Sequence, residues 1–220
     1  MLKIISKALN IAKTIYFNYR YLPLREAVFL PIKVRWGICT KLNRGDIIFN
    51  HGTRLKYGIV RFGFSGTPFI SQNYKSNIII SGNGKLILGN NVTISEGFNI
   101  YINSAKLIIQ NNTYINKNVL IQCENGIKIH ENALLGWNVN IRDTDGHKLT
   151  NDNKDKSFEI HIGKNVWVAS DAFLMRGTRL SNGSVVGTRS LVLGLQLTEE
   201  KCLVVGSPAI VKKRNVTIYN

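Results

Sequence analysis

An all-β solenoid built of hexapeptides is the fold this sequence predicts, and three observations predict it. Between 162 and 192 an aliphatic residue stands at every sixth position: Ile162, Val168, Leu174, Leu180, Val186 and Val192. A small or branched residue follows four positions after most of these, at Ala172, Thr178, Ser184 and Ser190, while Gly163, Ala169 and Gly187 directly follow three of them. The same register recurs upstream as the trios Leu88, Ile94, Ile100; Ile109, Ile115, Ile121; and Ile129, Leu135, Ile141, with steps of nine and then eight between trios. A period of six fits neither an α-helix, which repeats at 3.6, nor a plainly alternating strand. It fits a solenoid in which each hexad is one short strand plus a corner and three hexads close a triangular coil. Stacked coils then lie about 4.8 Å apart, and the extra residues between trios loosen one corner of each coil.

Taken in order, residues 2–19 read as an amphipathic helix. Ile4, Ile5, Ala8, Leu9, Ala12, Ile15, Tyr16 and Tyr19 fall at three- and four-residue spacings on one face, with Lys3, Lys7, Asn10, Lys13 and Asn18 on the other. The apolar face is expected to pack on the chain's own domain or on a neighbouring subunit. The alternative is a basic helix lying in an anionic membrane interface. Pro23 and Pro31 punctuate the connector that follows, so 1–44 is set apart from a coil domain at 45–214 and a tail at 215–220. Residues 45–84 carry a fainter pattern of β-branched runs between Asn and Gly turns, read as early, irregular coils. The register breaks once, between Ile141 and Ile162. The polar stretch 142–161 is too long for a corner and resumes into perfect hexads, so it is an insertion pushed out from the coil wall, where chemistry is usually placed. After Val192 the pattern decays, LVVGSPAIV closing the last coil and KKR forming a basic end.

With 220 residues the chain suffices for one sizeable domain, and its formal net charge of +16 favours anionic partners. The three cysteines, Cys39, Cys123 and Cys202, show no CxxC and no zinc spacing, so neither a disulfide frame nor a metal site is expected. No apolar stretch approaches the roughly 20 residues that span a bilayer, and Lys3, Lys7 and Lys13 interrupt any signal-peptide core. The expected location is cytoplasmic, with peripheral membrane contact through the basic helix left open. There is no interleaved basic and aromatic motif of the kind that binds nucleic acid.

The hexads, the extruded loop with DTDGH, the NVWVAS turn, the VVGTRS turn and the closing VVGSPAIVKK together resemble the hexapeptide-repeat acyltransferases, in particular the branch that O-acetylates sugars of capsules and lipopolysaccharides. The resemblance covers residues 88–213. It implies a left-handed β-helix, an exception to the right-handed crossover rule, a homotrimer with active sites between adjacent subunits, and acetyl-CoA as acyl donor. It places His147 at the family's histidine position. Acyl transfer to a hydroxyl needs a base that takes the hydroxyl proton during attack, and an imidazole of ordinary pKa suits that task near neutrality. Asp143 or Asp145 would orient the ring through its second nitrogen; the spacing does not choose between them, and each is equally readable as an Asx turn shaping the loop. His51, His130 and His161 are weaker candidates. By the resemblance, backbone groups at the turns of Ser170 and Thr188 hold the pantetheine arm and Trp167 lines the same groove, although a Trp covering a coil edge reads the same way. Pro208 would lie near the adenine, and Lys213, with Lys212 and Arg214 beside it, near the phosphates. The chain departs from the family pattern at Leu193-Gly194, in place of a Thr-Lys pair, and at Ile210, in place of a basic residue. Two other readings compete: N-acetylation of a nucleotide-linked amino sugar, and a non-catalytic solenoid scaffold.

Overall fold

The computed structural model describes residues 2–68, 75–147 and 158–218, with side chains from residue 4 onwards. Helices α1 (Leu2–Tyr21) and α2 (Leu24–Ala27) precede the coil. From Ile32 the chain winds through three walls in strict rotation. Ile32–Val34, Cys39–Lys41 and Ile47–Phe49 begin walls one, two and three, and Val60–Phe62, Asn77–Ser81 and Lys85–Leu88 lie on them in the same order. Among the described residues the walls hold nine, seven and six strands. Pairing is parallel throughout, except where the final strand, Ala209–Lys213, turns back antiparallel on Leu203–Gly206. The three-sided parallel β-helix expected from the period of six is therefore the fold. It starts earlier than residue 45, because Ile32–Val34 and Cys39–Lys41 already pair in register with Val60–Phe62 and Asn77–Ile79. Long connections, 50–59 and 63–76, separate these first layers and hide their period.

The anchors form the core. Ile162, Val168, Leu174, Leu180, Val186 and Val192 are all buried, as are Leu88 to Ile141 at the upstream steps. Each anchor sits directly over its counterpart one coil below: Ile141 lies between Ile121 and Leu174, and Leu135 between Ile115 and Val168. Two-residue strands such as Trp167–Val168 hold no stability alone. Burying one aliphatic side chain per strand, worth about 1.5–3 kcal/mol, makes stacking compulsory. The small residues four positions later also face inward, Ala172, Thr178, Ser184 and Ser190 being completely buried.

Between walls the chain turns at three edges. Edge one joins walls one and two, edge two joins walls two and three, and edge three returns from wall three to wall one. Asn91, Asn112, Asn132 and Asn165 turn edge three at φ between 53° and 60°; Asn118, Asn138, Asp171 and Arg189 turn edge one at φ between 57° and 60°. Asn is common here because it tolerates left-handed backbone better than other side chains.

The N-terminal helix does not set its apolar face on the chain's own domain. Its inward face is Thr14, Phe17, Asn18 and Tyr21, whereas Ile4, Ile5, Ile11, Ile15, Tyr16 and Tyr19 face outward. The cause is the open edge of wall one, since an unpaired edge strand presents free N–H and C=O groups. Asn18 accepts from Ile32 N–H at 3.1 Å and donates to Ile32 C=O at 2.7 Å; Thr14 Oγ1 accepts from Val34 N–H at 3.0 Å and donates to Val34 C=O at 3.3 Å. Two polar side chains of α1 thus finish the wall that no further strand covers. Phe17 closes the coil's interior beneath them, edge-on to Tyr21 at 5.0 Å and to Phe62 at 6.0 Å.

Candidate active site

The coenzyme-side residues named from the sequence gather on one side of the upper coils. Trp167 points outward from wall one, 39% exposed, in line with Leu134 below and Val185 above. Leu203 continues that line and Lys213 ends it, three strand spacings from Trp167, or roughly 14 Å. Ser170 and Thr188 are stacked on edge one at the end of the same wall, Arg189 N–H donating to Ser170 C=O at 3.1 Å. Pro208 is exposed in the turn between Leu203–Gly206 and Ala209–Lys213, above the Gly187–Ser190 corner, where Gly206 N–H reaches Ser190 Oγ at 3.3 Å. Lys212 and Lys213 are exposed on the last strand. Arg214 is paired with Glu199 at 2.8 Å.

Edge one changes character on the way up. In its lower layers it carries an ion-paired column: Glu96 holds Lys117 at 2.8 Å and also Arg35. Above this the column becomes Trp137, Ser170 and Thr188, without charge, each preceded by a small residue (Gly136, Ala169, Gly187). Lys117 N–H is capped by Asn116 Oδ1 at 2.9 Å, but Ala169 and Gly187 have no side-chain acceptor to offer. Among the described residues no acceptor takes the backbone N–H of Ser170 or of Thr188. Two aligned donors on a column whose own side chains carry no charge suit the carbonyls of a narrow amide-bearing ligand or a developing oxyanion. Sequence reasoning missed Trp137, which lies one coil under Ser170 through the Asp171 N–H bond to its carbonyl at 3.0 Å. Its signal was available: it stands two residues after its anchor Leu135, the same offset as Ser170 from Val168 and Thr188 from Val186.

His147 belongs to a different edge. The insertion leaves wall two after Asn140–Arg142 and re-enters wall three at Ile160–Ile162, so it springs from edge two. Residues 148–157 lie outside the described residues. His147 is exposed, next to Gly146. Neither carboxylate offered by the sequence reading orients its ring. Asp143 is completely buried and accepts the backbone N–H groups of Glu124, Asn125 and Gly126 at 2.7, 2.9 and 2.6 Å. That is a turn-shaping role, and it ties the loop's exit to the coil below. Burial, and then the charge of Asp143, push the neighbouring Cys123 thiol far above its ordinary pKa and leave it unreactive. Asp145 forms an ion pair with Arg176 in the coil above, and the Arg176 guanidinium also stacks on Phe158 at 4.7 Å. Arg176, which sequence reasoning passed over, therefore clamps both legs of the insertion.

The remaining histidines lie elsewhere. His51 is in an exposed turn of the first layers. His161 pairs with Glu159 at 3.1 Å and lines an open cleft of about 320 Å³ on wall three, with Lys106, Lys128 and Gly126. His130 turns edge three, where burial, and then the charges of Lys128, His161 and Lys164, hold its pKa below the ordinary value. Among the described residues no group of three or more His, Cys, Asp or Glu side chains could hold a metal ion.

The sequence matches no family model. It is 31% identical over 176 residues to an uncharacterized 24.8 kDa protein in the cps region of Klebsiella pneumoniae, covering 80% of this chain and 76% of that one. It is 33% identical over 104 residues to the galactoside O-acetyltransferase of Escherichia coli K12. That match covers 46% of this chain and about half, 48%, of the enzyme. The chain belongs to the hexapeptide-repeat acyltransferases. A crystal structure of a Bacillus cereus protein overlaps 89% of this chain and 82% of its own at a TM-score of 0.50 and 14% identity, which shows the shared fold alone. As an acyltransferase of this family the protein draws on acyl-CoA as donor.

Proposed function

We propose that this acyltransferase moves an acetyl group from acetyl-CoA to a hydroxyl of a saccharide, a surface polysaccharide or its precursor, with His147 as general base and each site formed between two subunits of a homotrimer. One observation carries the reading: the donor-side residues lie on edge one, while His147 lies on edge two. Wall two separates them. From Ser170 to Arg176, six residues of extended chain at about 3.3 Å each span roughly 20 Å. A general base acts only within hydrogen-bond reach of its proton, about 2.6–3.2 Å. A second copy that sets its edge two against this chain's edge one brings the two halves together, and a closed trimer does so three times.

Within such a site His147 takes the acceptor hydroxyl proton as the oxygen attacks the thioester carbonyl. Collapse of the tetrahedral adduct breaks the carbon–sulfur bond, and the imidazolium returns its proton to the departing thiolate. The N–H groups of Ser170 and Thr188 are placed for the pantetheine amides and the oxyanion, Trp167 for the side of the arm, Pro208 for the adenine, and Lys212 and Lys213 for the phosphates. Asp143 and Asp145 act on the loop that carries His147, the one through the Glu124–Gly126 turn and the other through Arg176. The similarity to a galactoside O-acetyltransferase and to a protein of a capsule region supports a saccharide hydroxyl as acceptor.

The test is incubation with labelled acetyl-CoA and the host's surface glycan or its precursors, followed by mass analysis. The expected product is an acetyl ester that mild base removes. An amide product would replace the hydroxyl acceptor with an amine. His147→Ala is expected to lower turnover about 10²–10⁴-fold with acetyl-CoA binding retained; full activity in that variant would sink the mechanism.

A further inference from the structure

We propose that the outer face of α1 is a docking surface for an anionic lipid bilayer. The proposal starts from the inversion of this helix. Because Thr14 and Asn18 are spent on the open edge of wall one, the apolar residues are turned away from the protein. Ile4, Ile5, Ile11, Ile15, Tyr16 and Tyr19 are between 42% and 73% exposed. At 100° per residue they, with Ala8 and Ala12, occupy an arc of about 140° uninterrupted by any charge. Soluble surfaces do not leave a continuous apolar face of this size without a use.

The surroundings of the face identify what covers it. Lys7 flanks the arc on one side and Lys13 and Arg20 on the other, and the sequence of α1 contains no Asp or Glu. A symmetric contact with a second α1 would set these cations against one another, which costs association. An anionic lipid surface meets both features at once, taking the apolar arc to the depth of the headgroups and the cations at phosphate level. Tyr16 and Tyr19 suit that boundary, having an apolar body and a polar tip. More apolar surface lies at the same end of the coil. Trp36, 56% exposed, is held beside the helix by its N–H bond to Asn10 Oδ1 at 2.7 Å, and Leu24 and Val28 are exposed at and just after α2. No helix among the described residues is long and apolar enough to cross a membrane, so α1 lies along the interface. The coil axis then runs away from the lipid, holding the upper coils at a distance from it.

Vesicle co-sedimentation of the full chain tests this. Phosphatidylcholine vesicles containing phosphatidylglycerol should pellet the protein, and phosphatidylcholine alone should pellet little of it. Ile11→Gln with Ile15→Gln should weaken the partition at least about tenfold, and Lys7→Gln with Arg20→Gln about fivefold per charge removed. The thermal unfolding midpoint should hold in both variants, because none of the four side chains enters the core. Equal binding of wild type and variants, or equal binding to both vesicle types, overturns the proposal. So does a wild type that ignores vesicles while the Ile11 and Ile15 changes dissociate its assembly, an outcome that gives the face to a second copy. Acetyl transfer is not the readout, so the result stands apart from the proposed reaction.

Discussion

Edges one and three of the prism share a backbone and differ in what their side chains do with it. Both turn through left-handed residues, and both need glycine where one coil approaches the next. A Cβ on Gly136 of edge one would come within 2.6 Å of Ser170 N, and one on Gly163 of edge three within 2.8 Å of Leu180 O. Glycine at these corners therefore reports stacking and says nothing about a ligand. The difference lies beside the glycines. Edge three bonds itself together: Asn91, Asn112, Asn132 and Asn165 form a ladder with steps of 3.2, 3.1 and 3.0 Å, Glu131 holds Lys164 at 2.7 Å, and Asn111 and Asn182 cap the N–H groups of Asn90 and Lys164. Upper edge one leaves the N–H groups of Ser170 and Thr188 without an acceptor among the described residues. The amide ladder itself is common to both edges, since Asn118, Asn138 and Asp171 form it on edge one with steps of 2.8 and 2.9 Å; what differs is the adjoining column, where Asn90 and Lys164 are capped and Ser170 and Thr188 are not.

The largest effect expected from this contrast is catalytic. Thr188→Trp fills upper edge one and, like His147→Ala, should lower activity by at least about 10²-fold while leaving the fold intact. Mixing the two inactive variants under conditions that exchange subunits should restore activity at about a quarter of the sites, since only one of the four pairings of neighbours joins an intact His147 to an intact edge. No recovery on proven exchange would mean that both halves come from one chain. Matching substitutions on edge three, such as Asn112→Asp, should leave turnover unchanged.

Next in size are the glycines. Gly136→Val and Gly163→Val should each cost about 1–3 kcal/mol through overpacking against backbone, read as a shift in urea midpoint. Similar losses at the two edges are the expectation. A loss at Gly163 with none at Gly136 would show that edge one is looser than its hydrogen bonds imply, and its glycine would then be a ligand feature after all. The ladder comes third. Asn132→Ala removes bonds to Asn112 and Asn165 and places alanine at φ 60°, for a combined cost of about 1–2 kcal/mol. Asn132→Gly relieves the backbone but not the lost bonds, so it should recover part of that loss.

The distribution of these roles explains how much could be read from the sequence. The anchors were legible because each hexad must bury one aliphatic side chain, and a period survives any choice among Ile, Leu and Val. The first layers were not, because connections of unequal length break the period although Ile32, Val60 and Val92 stack in one column. The insertion was legible as a break, but the work of Asp143 and Asp145 was not, since residues two apart in a loop turn to opposite coils: Asp143 to the turn below, Asp145 to Arg176 above. For α1 the apolar face was identified correctly, but it does not pack on the chain's own domain. Hydrophobic spacing records which side chains avoid water, whereas the seat of this helix is decided by four hydrogen bonds to an unfinished sheet. Ser170 and Thr188 were found through a resemblance, and whether such N–H groups are capped depends on neighbours one coil away that a linear reading does not align.

The smallest expected effect is on pH, and it separates the two edges again. Edge three carries His130, whose pKa in the folded chain is lowered by burial, and then by Lys128, His161 and Lys164, with Glu131 opposing. Unfolded, its imidazole returns to about 6.5 and binds a proton more readily than in the fold. The unfolded state therefore gains protons first as pH falls, and stability declines from about pH 6.5 downward until the folded form is also protonated. Glu131 adds a separate loss in the more acidic carboxylate range, because its bond to Lys164 holds its pKa below the usual value. Urea midpoints of wild type and His130→Gln measured from neutral pH to about 5 should diverge, with the variant flatter across the imidazole range. Equal slopes would mean that His130 titrates in the fold as it does in the unfolded chain. Upper edge one has no titrating side chain in the column Trp137, Ser170 and Thr188, so at each pH acetyl-CoA affinity corrected for the folded fraction should be the same in wild type and His130→Gln.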